Sequence, residues 1–154
     1  MDRHTEKTSI NFYLIRSNFN EILLRICKKI MKTKQDFYVN LDTSDRTKEI
    51  DKFLWVREKN NFLPHKVLGE NITAWDKVVL FDGDYNKLDL IKSFQTIIIS
   101  PYVYVKKFNL FKKFLIFSFA NENLYELKKR KELENSGYIV NCYDEYQPFK
   151  WKTL

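Results

Sequence analysis

"INFYLIRSNFNEILLRICKKIMKTKQDFYVNL", residues 10–41, holds an apolar run, an amphipathic stretch and a second apolar run. Its first six residues are dense in aromatic and branched side chains, the mark of a buried strand. From residue 18 onward, Phe19, Leu23, Ile26, Cys27 and Ile30 recur at helical spacing, with Arg25, Lys28 and Lys29 on the other side. Asn18 can cap the free N–H groups at the start of that helix. "DFYVNL" (36–41) then reads as a second strand. Strand–helix alternation of this kind argues for a parallel sheet.

The alternation continues. "DTSDRTKEIDKFLW" (42–55) predicts a second helix, capped by Thr43 or Ser44, with Asp45 near its positive end and Ile50, Phe53 and Leu54 on the core side. An irregular segment follows, through about Gly69. "KVVLF" (77–81), "QTIIIS" (95–100), "FLIFSF" (114–119) and "YIVNCY" (138–143) predict further strands. The unbroken isoleucines of the second of these imply burial on both faces. Residues 102–113 leave a short helix open. "NENLYELKKRKELENS" (121–136) predicts a polar helix with Leu124, Leu127 and Leu133 on one side, stopped by Gly137. The fold class is therefore α/β: a Rossmann-like, doubly wound, mostly parallel sheet with helices on both faces, in one domain over 1–154.

Composition narrows the function classes. With 154 residues, 44% of them hydrophobic, the chain can bury a sizeable core and is not a disordered tail. Its net charge of +7 favours anionic partners such as nucleic acid, acidic lipid or an acidic peptide, although a solvated surface with one sign in excess accounts for it equally well. Cys27 and Cys142 each sit in an apolar run and read as reduced, buried thiols. The first ten residues are polar, and no apolar run approaches the roughly 20 residues of a membrane span, so a soluble, cytoplasmic protein is expected.

Enzyme signatures are missing. The turn after the first strand, "RSNFN", has no glycine to let a pyrophosphate approach the backbone, and there is neither GxGxxG nor a Walker A sequence. No CxxC, HxxxH or GxSxG occurs. "DGD" (82–84) reads as a turn rather than a cation site. Cys27 lies on the apolar side of its helix, where a thiol is inert. His65 as an acid or base lacks a visible carboxylate partner. The expectation is a binding protein, without catalytic residues, metal or cofactor.

One stretch is too apolar for an ordinary loop: "DKFLWVREKNNFLPHKVL" (51–68) gathers Phe53, Leu54, Trp55, Phe62, Leu63, Pro64 and His65. Taken with "NFYLI" (11–15), "GE" (69–70), "SGY" (136–138) and the aromatic, basic close at "YQPFKWK", its Leu-Trp and Phe-x-Pro-His spacing resembles the chi subunit of bacterial DNA polymerase III. The match spans nearly the whole chain but is poor over about 71–113.

The resemblance implies a Rossmann-like domain without nucleotide or catalytic activity. It implies a clamp-loader-associated subunit, a monomer or one half of a heterodimer with the psi subunit. It also implies binding of the acidic C-terminal tail of single-stranded DNA-binding protein, with DNA reached only indirectly. For psi it points to Trp55, Phe62, Pro64 and His65, a plausible anchor cluster; Trp55 equally continues the core side of its helix. For the tail it points to Lys128, Lys129, Arg130 and Lys131. Arg130 falls where the family has an aromatic residue, so Tyr125 or Phe119 would have to supply the aromatic wall. A solvated helix face is the plain alternative for these cations. The competing function is direct binding of single-stranded DNA or RNA, through "KKIMKTK" and the stacking groups of "YQPFKWK".

Overall fold

The computed structural model describes residues 7–33, 35–57, 65–73, 75–84, 95–122 and 125–154. In these, eight strands form one sheet and three helices cover it. The order along the chain is β1 (Ser9–Ile15), α1 (Phe19–Met31), β2 (Phe37–Asn40), α2 (Ser44–Arg57), β3 (His65–Val67), β4 (Val78–Phe81), β5 (Thr96–Ile99), β6 (Lys113–Phe119), α3 (Tyr125–Asn135), β7 (Ile139–Gln147) and β8 (Lys150–Thr153). Across the sheet the order is β3-β4-β2-β5-β6-β1-β7-β8, with every pairing parallel except the β7–β8 hairpin.

The predicted α/β class with a mostly parallel sheet is what the chain adopts. β1 and β2 are not neighbours, however: β5 and β6 lie between them. One expectation is corrected. His65–Val67, expected to be irregular, forms an edge strand on β4, with His65 opposite Val78. A three-residue strand has too few side chains to show a period, and the neighbouring strand's hydrogen bonds make it. The aromatic tail likewise folds back as β8. The short helix left open at 102–113 does not form: residues 103–108 run over the sheet without regular structure and β6 begins at Lys113.

Side chains alternate between two cores, as strand geometry requires. Phe37, Val39, Val78, Leu80, Ile98 and Phe117 face α1 and α2, meeting Phe19, Leu23, Cys27, Ile50 and Leu54. Tyr38, Val79, Phe81, Ile97, Ile99, Phe114 and Ile116 face the other way, under residues 103–108 and Leu133 of α3. Helices thus cover both faces. The two cysteines form no disulfide and are buried in opposite cores, Cys27 in the first and Cys142 in the second.

Local signals set the helix ends. The Asn18 side chain accepts from the Asn20 N–H at 2.8 Å, and Thr43, of the two caps foreseen for α2, accepts from the Arg46 N–H at 3.0 Å. Gly137, at φ +96°, ends α3. The Tyr138 N–H reaches the Leu133 carbonyl at 3.2 Å and the Gly137 N–H the Glu134 carbonyl at 3.0 Å, the paired bonds of a Schellman stop. Among the described residues no helix is long and apolar enough to cross a membrane.

Candidate functional site

The chain leaves β1 through α1 on one face and leaves β6 through α3 on the other. Adjacent parallel strands whose connections part in this way open a crevice at their carboxyl ends, where α/β proteins take ligands. Here the crevice has a volume of about 610 Å³ and is lined by Ile15, Arg16, Tyr102, Phe119, Ala120 and Asn121.

The β1–α1 turn beside it is already filled. Glu145 on β7 is 1% exposed. Its Oε1 accepts from the backbone N–H groups of Arg16 at 2.6 Å and Ser17 at 2.7 Å. Its Oε2 accepts from Ser17 Oγ at 2.7 Å and the Phe149 N–H at 2.8 Å. Burial pushes this carboxyl up, but the hydrogen bonds from Phe149, Arg16 and Ser17 outweigh it and hold the pKa below the ordinary value. The amides that cradle a phosphate in nucleotide-binding relatives of this architecture hold a side-chain carboxylate here. The Arg16 guanidinium is engaged as well, with the Asp144 carboxylate and the Glu145 carbonyl.

On the α3 face, residues 103–108 and α3 flank a shallow cleft of about 20 Å³, room for about one water. Phe12 of β1 and Ile116 of β6 form its floor, Val103, Tyr104, Val105 and Phe108 one wall, and Lys129 its charged rim. Lys129 is there because Leu133, one turn further on, is the buried anchor of α3, and residues four apart share a helix face. The other cations of "KKRK" go elsewhere. Arg130 donates to the Leu154 carbonyl at 3.0 Å and lies 3.7 Å from the Glu134 carboxylate. Lys131 is exposed. The side chains of Tyr125 and Lys128 lie outside the described residues. Phe119 packs against the α1–α2 core and lines the crevice, so among the described residues the aromatic side chains at the groove are Phe12, Tyr104 and Phe108. Tyr104 and Phe108 lie in a segment without clear periodicity, where the alternation of "VYVKKF" is the available signal.

At the far edge of the sheet, Trp55 is 46% exposed near the end of α2, beside Val56 at 51%. The indole sits 4.6 Å from the His65 ring. His65 itself is 2% exposed, with Nε2 3.0 Å from the Asp51 carboxylate, although the two are not aligned as a hydrogen bond. The carboxylate partner that the sequence did not reveal is thus Asp51, but a ring this deeply covered supports Trp55 rather than meeting a substrate. Phe62 and Pro64 lie outside the described residues. The tail's stacking groups are used in the fold: Trp151 packs edge-on to Tyr13 at 5.1 Å, and the Arg25 guanidinium covers Phe149 at 3.7 Å.

No individual curated protein matches the sequence. The family model described as "DNA polymerase III chi subunit, HolC" matches residues 8–133, from the start of β1 to the buried anchor of α3. That span takes in the Leu-Trp of α2, the His65 edge strand and both walls of the groove, and by it the chain belongs to the DNA polymerase III chi subunit family, accessory proteins of DNA replication.

Proposed function

We propose that this protein is a non-catalytic subunit that ties DNA polymerase III to single-stranded DNA-binding protein by holding that protein's acidic C-terminal tail in the groove between residues 103–108 and α3. The observation that carries the reading is Lys129 standing at the rim of a slot floored by Phe12 and Ile116. A tail that ends in carboxylates and an apolar ring needs a cation beside an apolar cleft. Lys131 and Lys128 would add charge along the same helix.

The psi subunit, or an equivalent, is proposed to dock at the α2–β3 edge through Trp55, which has His65 beside it, together with Phe62 and Pro64. Exposed Trp55 and Val56 beside a one-sided edge strand support that placement. β3 and β6 are four strand spacings apart, about 19 Å. Trp55 and the groove also belong to opposite faces, so both partners can be held at once.

A titration with a tail peptide tests the tail site. Lys129→Glu should weaken binding by about tenfold or more, since a charge-assisted contact is lost and a repulsion gained. Arg130→Ala should change it little, because that guanidinium serves the chain's own end. Equal affinity for the wild type and Lys129→Glu would remove the groove from consideration.

A further inference from the structure

Tyr102 occupies a position that disfavours it. The Ser100 carbonyl accepts from the Val103 N–H at 3.3 Å, with Pro101 and Tyr102 between them. Tyr102 has φ +72°, as the third residue of a type II turn does. That position normally holds glycine, because a Cβ is strained there. Strain kept at a large side chain points to a use for the side chain. The ring is 62% exposed and stands over the crevice, 5.9 Å from Phe119.

The next residues alternate. Val103 and Val105 pack on the core, while Tyr104 is 74% exposed and Lys106 and Lys107 are exposed. Tyr102 and Tyr104 are thus both exposed, with the packed Val103 between them. Cations follow them directly, and no acidic residue occurs between Asp89 and Glu122.

We propose that Tyr102, Tyr104, Lys106 and Lys107 form a binding strip for single-stranded nucleic acid. Bases stack on the two tyrosines and phosphates lie along the lysines. Stacking faces and a cationic track are what sequence-tolerant single-strand binding requires. The strip is separate from the C-terminal aromatic residues, which the fold has used, and does not depend on the tail groove being occupied.

The test is fluorescence anisotropy of labelled oligothymidylate and oligouridylate, each of about 15 residues, with the full chain and no tail peptide. Two cations on phosphates predict a fall in affinity of about sevenfold between roughly 50 and 200 mM salt. Stacking and phosphate contacts do not read the 2′-hydroxyl, so similar affinities for the two strands are expected; a preference of more than about tenfold identifies the preferred strand as the ligand. Tyr104→Ala and the pair Lys106→Glu with Lys107→Glu should each weaken binding by about tenfold. Tyr102→Gly should weaken binding while raising the melting temperature, a combination that a structural role for the ring would not produce. Trp75→Ala, at an 81% exposed aromatic elsewhere, should leave binding unchanged. The proposal is overturned by no binding of either strand at low salt, or by folded Tyr104 and lysine variants that bind like the wild type.

Discussion

Replacing Glu145 by glutamine should weaken the whole fold, because one buried carboxylate joins the β1–α1 turn to the β7–β8 hairpin. Its two oxygens receive four hydrogen bonds, from Arg16 N, Ser17 N, Ser17 Oγ and Phe149 N. Glutamine keeps the shape but loses the charge. Its amide oxygen can still accept from Arg16 and Ser17, and Ser17 Oγ can turn to accept from the amide nitrogen. The Phe149 N–H is then left facing another donor. Losing the charge costs about 1 kcal/mol in each of three surviving bonds, and an orphaned buried N–H costs about 1–3 kcal/mol. Relief from burying a charge returns part of this, leaving about 3 kcal/mol. In a chain of this length that lowers the melting temperature by about 6–12 °C.

Thermal and urea unfolding at pH 7, followed by circular dichroism, measure that loss. The pH dependence supplies the decisive control. Because the folded pKa of Glu145 lies below its ordinary value, its contribution is complete above about pH 4.3 and is lost as pH falls through the folded value. The gap between wild type and Glu145→Gln should therefore narrow on acidification. A variant within about 1 °C of the wild type at pH 7, or a gap that stays constant into acid, would falsify the account.

Two further outcomes follow from the packing. Burial, and then the neighbouring Tyr143, push the Tyr13 phenol up to about 12; since the unfolded phenol ionises near 10, stability should fall as pH rises from about 10 to 12, and the fall should be smaller in Tyr13→Phe. Gly137→Ala meets open space but keeps φ +96°, so it should cost roughly 1–2 kcal/mol in urea unfolding, from backbone strain alone.

Much of the fold is legible in the sequence because its signals are local. The apolar runs at 10–15 and 114–119 and the isoleucines at 97–99 become strands since branched and aromatic side chains suit a surface buried on both sides. Helix α1 follows from its spacing and its Asn18 cap, and α3 stops where Gly137 permits a left-handed turn. The cations of the candidate site were legible only as a cluster. The leucines mark the buried side of α3, but that Lys129 then meets residues 103–108, Arg130 Leu154 and Lys131 solvent depends on what packs beside the helix.

What the sequence determines by itself is therefore the α/β class, its main strands and helices, and the chi-family pattern. Only the tertiary structure decides which strands are neighbours, that His65–Val67 and Lys150–Thr153 become edge strands, and that Asp51 meets His65. It alone brings Glu145 to a turn well over a hundred residues earlier in the chain. The physical reason is the same in each case. Strand and helix preferences arise from neighbours along the chain, whereas sheet order, edge pairing and a buried carboxylate's donors are satisfied by groups that only the assembled sheet brings within reach.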